Sequence, residues 1–224
     1  MDIEYDLLPN FLKNLNSVLD DSDSNTEWHT GKPDYSLVNG LYERERTKIH
    51  PKGSLEDIIT NLIKNWEKEL SHKANPSQWL TVIPDHFRMA VNGGPWATLE
   101  EVGKIGAYNA FLGNCEYYSA AHVTDPLASH QVFREALQSG FALEILEVYT
   151  PPPKVTFKFR HWGNMSGELK CPMRNGEMMK LPPHNGKVEL FGMVVMKLSE
   201  NFQILEMEFF FRPDTMMEQM VEGH

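Results

Sequence analysis

Cysteine is nearly absent from this chain. Two thiols, Cys115 and Cys171, in 224 residues fit no metal-ligand spacing and are too few for a disulfide framework, so the fold is expected to rest on its core in a reducing, cytoplasmic setting. Long apolar runs are missing as well. No window supplies the ~18 apolar residues of a membrane span, and the opening Met1-Asp2-Ile3-Glu4-Tyr5-Asp6 is acidic where a secretory leader is basic and then apolar. Clustered cations are also lacking. With 21 Lys and Arg against 31 Asp and Glu, the formal charge is −10, which argues against nucleic acid as a partner because phosphate binding needs grouped positive charge. The serine-hydrolase elbow, the P-loop, the G-x-G-x-x-G turn and H-E-x-x-H do not occur, so acyl, phosphoryl and hydride transfer lack their usual apparatus. Neither a metal nor a cofactor is expected.

Apolar residues make up 41% and charged residues 23% of the chain, ordinary proportions for one domain with a sufficient core. Residues 1–35 read as a partly mobile N-terminal extension because the run Asp20-Asp21-Ser22-Asp23-Ser24-Asn25 is acidic and turn-rich. The domain proper is placed at 36–215, followed by a C-terminal tail at 216–224. A short helix is expected from Ser36 to Thr47. The strongest helix runs from Ser54 to His72: Ser54 caps it, Glu56 and Asp57 complement its dipole, and Leu55, Ile58, Ile59, Leu62, Ile63, Trp66 and Leu70 recur at spacings of three and four. Its Glu69-Leu70-Ser71-His72 is one half of a di-iron E-x-x-H element, without the second copy such a centre requires. A strand is expected near Thr81 to Val91, and further helices from Thr98 to Leu112 and from Pro126 to Gln138.

Beyond Gly140 the pattern is strand-like. Phe141–Tyr149, Val155–Trp162, Val188–Leu198 and Phe202–Phe211 predict an antiparallel meander. The segment 163–186 is long, rich in Met, Pro and Gly, and placed to serve as a lid. In Lys154-Val155-Thr156-Phe157-Lys158-Phe159-Arg160-His161-Trp162-Gly163 the parity sets Val155, Phe157, Phe159 and His161 on one face. His161 is then a hydrogen-bonding or proton-handling group among aromatic rings, or a strand-end histidine satisfied by a carbonyl. The same counting puts Glu147 and Tyr149 on the apolar face of the preceding strand. Lys158, Arg160, Glu189, Lys197, Glu206 and Glu208 fall on the other face, where they can pair across strands. Phe191, Met193, Val195 and Phe210 share that outer face, and the expected partner for so much apolar area is a second copy of the chain.

Several motifs occur together in order: Asn25-Thr26-Glu27-Trp28, Pro51-Lys52-Gly53-Ser54-Leu55-Glu56, Trp66-Glu67-Lys68-Glu69-Leu70-Ser71-His72-Lys73-Ala74, Val91-Asn92-Gly93-Gly94 and Phe157-Lys158-Phe159-Arg160-His161-Trp162-Gly163. In these the chain resembles the plant pathogen-related protein group and its fungal relatives, within the SnoaL-like (nuclear-transport-factor-like) superfamily. More faintly it resembles the fungal enzymes that join a tropolone quinone methide to humulene by hetero-Diels–Alder addition. The resemblance implies an α+β fold, a cone-shaped barrel whose curved antiparallel sheet wraps on N-terminal helices around a deep apolar cavity. It also implies a cofactor-free cyclase acting on an apolar polyene or polyketide, or a non-catalytic carrier using the same pocket. On that reading His161, Glu147 and Tyr149 are the candidate catalytic residues, and Trp66, Tyr108, Phe157, Phe159, Met165, Met196 and Phe209 shape the substrate pocket.

Overall fold

The structure is a computed structural model that describes residues 4–223; the first three residues of the expected extension, and His224 of the expected tail, lie outside it. In chain order the helices are α1 (Ser17–Asp20), α2 (Ser36–Glu45), α3 (Leu55–His72), α4 (Leu99–Ile105), α5 (Ala107–Leu112), α6 (Pro126–Ala136) and α7 (Asp214–Glu222). The strands are β1 (Arg88–Val91), β2 (Ala97–Thr98), β3 (Asn114–Cys115), β4 (Tyr118–Ser119), β5 (Phe141–Thr150), β6 (Lys154–Asn164), β7 (Leu169–Pro172), β8 (Met178–Leu181), β9 (Lys187–Leu198) and β10 (Ile204–Phe211). Six of them form one curved sheet in the order β2-β1-β10-β9-β6-β5. The α+β class and the antiparallel meander β5-β6-β9-β10 are as expected, with β1 added parallel to β10.

Helix α3 is the axis of the core. Ser54 Oγ accepts the Asp57 amide at 3.2 Å, and Ile58, Ile59, Leu62, Ile63 and Trp66 are all buried in the core. The N-terminal extension is clamped onto this helix: Phe11, Leu12, Val18 and Leu19 are buried, and Asn65 Nδ2 donates to the carbonyls of Phe11 (3.1 Å) and Asn14 (2.7 Å). Its removal would leave those polar groups and the apolar side chains of α3 uncovered, a cost that anchors the segment. Glu69, the acid of the E-x-x-H element, is fully buried and structural. It pairs with Lys73 at 2.9 Å and accepts from Thr81 Oγ1 at 2.6 Å. Among the described residues no group of three metal-ligating side chains exists.

Several boundaries shift for local reasons. The expected strand from Thr81 shrinks to Arg88–Val91 because Pro84 opens a turn in which the amides of His86 and Phe87 donate to the Ile83 carbonyl. The helix expected over Thr98–Leu112 breaks at Gly106, whose φ is +86° and whose position could not carry a Cβ without meeting Pro126 at 2.7 Å. The 163–186 segment is not a lid: it contains the β7–β8 hairpin, buries Leu169 and Cys171, and donates the Gly167 amide to the Ala136 carbonyl of α6. The expected C-terminal tail is, over its described residues 216–223, mostly helix: α7 buries Met216, Met217 and Met220 and its Gln219 bonds both backbone groups of Glu189 on β9 at 2.8 Å.

The outer face of the sheet divides. Over β5 and β6 it is covered by α2, with Leu41 and Tyr42 packed on Ala142 and Trp162. Arg160, expected among the outer charges, is consequently buried, held by Glu144 at 3.0 Å, by Glu189 at 2.6 Å and by the Glu45 carbonyl at 3.0 Å. Over β9 and β10 nothing among the described residues covers it, and Phe191 and Phe210 are 49% and 40% exposed.

Candidate functional site

Between α3, α5 and the concave side of the sheet lies an apolar cavity of about 110 Å³. Trp66 and Leu70 contribute from α3, Tyr108 and Phe111 from α5, Phe157 and Phe159 from β6, Phe209 and Phe211 from β10, and Met216 from α7. The aromatic walls brace one another: Trp66 stacks on Phe209 with ring centroids 5.8 Å apart, and Phe111 meets Phe209 edge-on at 4.9 Å. A cavity of roughly 150 Å³ holds one benzene, so this chamber takes about one small ring or an equivalent branched alkyl group.

Four polar side chains enter the lining: Glu67, Ser71, Tyr108 and His161. His161 projects inward from β6, where it is paired in register with Leu143 and Leu190. Its ring lies flat on Phe141, 3.8 Å between centroids, and its Nε2 stands 3.6 Å from Glu67 Oε1. That separation is longer than a hydrogen bond and short enough for strong charge interaction. His161 Nδ1 is buried with no partner among the described residues. Burial disfavours ionisation of Glu67, but the imidazole of His161 and the ammonium groups of Lys64 and Lys68 outweigh it and hold the carboxyl below the usual carboxylate range. At neutral pH the cavity therefore contains a carboxylate facing an imidazole whose far nitrogen is uncommitted. Such a pair can orient the ring, and can hand a proton or a hydrogen bond to a bound molecule.

A wider outer chamber of about 460 Å³ adjoins the cavity and shares Glu67, Ser71, Tyr108 and Phe141 with it. It is lined by residues 30–35 and by Leu37 and Val38, together with His130 and Arg134 of α6 and Leu137 just past that helix. The mouth is thus framed by the N-terminal extension, and no residue of 163–186 borders it.

Of the sequence-derived site residues, Trp66, Tyr108, Phe157, Phe159, Phe209 and His161 line the cavity together. Glu147 and Tyr149 do not. A β-bulge at Leu146 inserts one residue opposite Phe159 and Lys158, so Glu147 pairs with Lys158 and Val148 takes the inward place opposite Phe157. Glu147 is exposed and Tyr149 is 49% exposed. Met165 and Met196 are fully buried but lie outside the cavity. Met196 is in register with Val155 and Met207, farther along the sheet where the core is filled. Glu67 was not singled out from sequence, although a signal existed: it follows Ile63 by four and precedes Leu70 by three, a carboxylate inside the apolar stripe of α3.

No family model matches the chain. Among solved structures it is similar to a candidate polyketide cyclase from Acidithiobacillus ferrooxidans (TM-score 0.44, 9% identity, 78% of this chain and 100% of that one). It is also similar to a candidate SnoaL-like polyketide cyclase from Jannaschia (TM-score 0.39, 15% identity, 75% and 95%). By sequence it is 39% identical over 199 residues to the pathogen-related protein of Hordeum vulgare, a match spanning 85% of this chain and 80% of that protein. On that identity and coverage the chain belongs to the pathogen-related protein family.

Proposed function

We propose that this protein is a cofactor-independent cyclase that joins or closes an apolar polyene or polyketide by cycloaddition of the hetero-Diels–Alder type. The observation that carries the reading is the Glu67–His161 pair set into an aromatic chamber, with His161 Nδ1 unpartnered. In such an addition two bonds form and no atom is lost, so the protein's task is to hold the partners in reacting geometry and to polarise the electron-poor one. Orientation removes much of the entropic barrier. A hydrogen bond from His161 to the carbonyl oxygen of the heterodiene stabilises the charge that gathers there in the transition state, while Glu67 fixes the ring. The inner chamber is too small for a sesquiterpene-sized polyene, so a substrate of that size spans both chambers.

The test uses an electron-poor enone or quinone methide generated in situ together with humulene, with the adduct analysed by chiral chromatography. An enantioenriched adduct formed faster than in buffer is expected, and His161→Ala should lower its rate far more than it lowers ligand affinity. Racemic adduct at the background rate, with ligand binding intact, would leave a carrier of small apolar molecules.

The same reading places the protein in the cytoplasm, consistent with two buried, unpaired thiols, and pairs two copies through the uncovered outer face of β9 and β10. No helix among the described residues is long and apolar enough to cross a membrane.

A further inference from the structure

The charged groups that border the outer chamber differ by sign in how they are partnered. Lys32, Arg134, Asp34 and Glu67 all border it. The two acids are engaged: Asp34 Oδ1 accepts the Ser36 amide at 2.8 Å, and Glu67 faces His161 at the inner end. The two cations are not, for among the described residues neither Arg134 nor Lys32 takes part in an ion pair. Arg134 stands one helical turn after His130 on the chamber-facing side of α6, and His130 meets His72 edge-on with ring centroids 5.2 Å apart.

His130 sharpens the assignment. Both of its ring nitrogens are buried and neither has a hydrogen-bond partner among the described residues, an arrangement that is costly until a ligand supplies one. Burial, followed by the charge of Arg134, presses its pKa down to about 4, and burial, His130 and Arg134 press that of His72 down to about 3. Both imidazoles are therefore neutral at pH 7, each with one N–H to donate.

We infer that the outer chamber is the seat of a carboxylate, the anionic head of an amphipathic ligand whose apolar end enters the inner cavity, with Arg134 supplying the charge and His130 an N–H. This inference rests on the reading of the paired chambers as a binding site. It deepens that reading by naming the ligand class as apolar carboxylic acids rather than neutral hydrocarbons. The direction of entry is fixed by Glu67: its carboxylate repels an anion at the junction, so the head stays at the Arg134 side, and the inner aromatic walls receive the ring or alkyl end. Of the two cations Arg134 stands one helical turn from His130, whereas Lys32 belongs to the 30–35 segment, so the head group is assigned one guanidinium, whose charge matches a monoanion better than a phosphate dianion.

Calorimetric titration of the intact protein with 4-phenylbutyrate, 4-phenylbutanol and 4-phenylbutyl phosphate tests it. The carboxylate is expected to bind at least about tenfold more tightly than the alcohol, a difference of about 1.4 kcal/mol. Arg134→Gln, at an exposed position, should erase that preference while leaving the alcohol's affinity unchanged, and Arg134→Lys should restore part of it. Equal binding of acid and alcohol to the unaltered protein, or a preference that survives Arg134→Gln, overturns the carboxylate seat and leaves the apolar cavity standing. Tighter binding of the phosphate overturns the choice of head. Failure of all three probes to bind overturns both this inference and the binding reading beneath it.

Discussion

Glu67 Oε1 and His161 Nε2 face each other across 3.6 Å, the one from the apolar stripe of α3 and the other from the inward parity of β6. Neither element alone makes a site. If the carboxylate acts by orienting and polarising the imidazole, Glu67→Gln should lower turnover by roughly 10²-fold or more and change ligand affinity only a few-fold. The double variant Glu67→Gln/His161→Ala should be no slower than the worse single variant, because the two act as one unit. Additive losses in a steady-state assay would separate them.

His130 carries a stability consequence in acid. Its folded-state pKa of about 4 lies below the ordinary imidazole value, burial being the main cause and Arg134 the next, with Glu67 and His29 also acting on it. The unfolded chain therefore takes up a proton that the folded chain refuses. The associated stability is fully present above about pH 6.5 and is lost as pH falls towards 4, a loss on the order of 1–3 kcal/mol. Urea denaturation of His130→Phe between pH 4 and 7 should give a visibly flatter profile than the unaltered protein. An unchanged slope would show that His130 titrates normally.

Gly192 lies beneath the Phe159 ring, where a Cβ would approach ring carbons at 2.6 Å. Gly192→Ala should therefore destabilise by about 1–3 kcal/mol through overpacking and, by tilting Phe159 into the cavity, weaken binding of the phenyl probes. Thermal melts and the same titrations check both effects.

Glu147→Gln and Tyr149→Phe should be silent. The bulge at Leu146 sets Glu147 opposite Lys158, a second register shift leaves Tyr149 unpaired with β6, and both residues are exposed, so stability should stay within ~0.5 kcal/mol and turnover should not change. A large kinetic loss in either variant would mean that β5 is registered differently on β6.

The outer face of β9 and β10 exposes Phe191 and Phe210 beside half-buried Met193 and Val195. If two copies pair there, sedimentation velocity at micromolar concentration should report a dimer, and Phe191→Lys with Phe210→Lys should yield a folded monomer. A monomeric unaltered protein would end this proposal.

The residues by themselves determined α3, because cap, dipole complement and apolar spacing all act within a few turns of one another. They also determined the inward parity of β6, an uninterrupted strand whose side chains alternate without exception, and with it the place of His161, Phe157 and Phe159. Parity failed on β5 because a bulge is decided by the partner strand: the extra residue at Leu146 reverses Glu147 and Val148, and a second shift at Tyr149 returns Thr150 to its former side. Tertiary packing alone decided that Glu67, one carboxylate on an apolar stripe, borders a hollow instead of packing on the sheet. It likewise decided that the mouth belongs to residues 30–38 while the 163–186 segment folds away as a hairpin on α6. Contacts between segments a hundred residues apart depend on how the elements close around the core, and no local period in the chain encodes that closure.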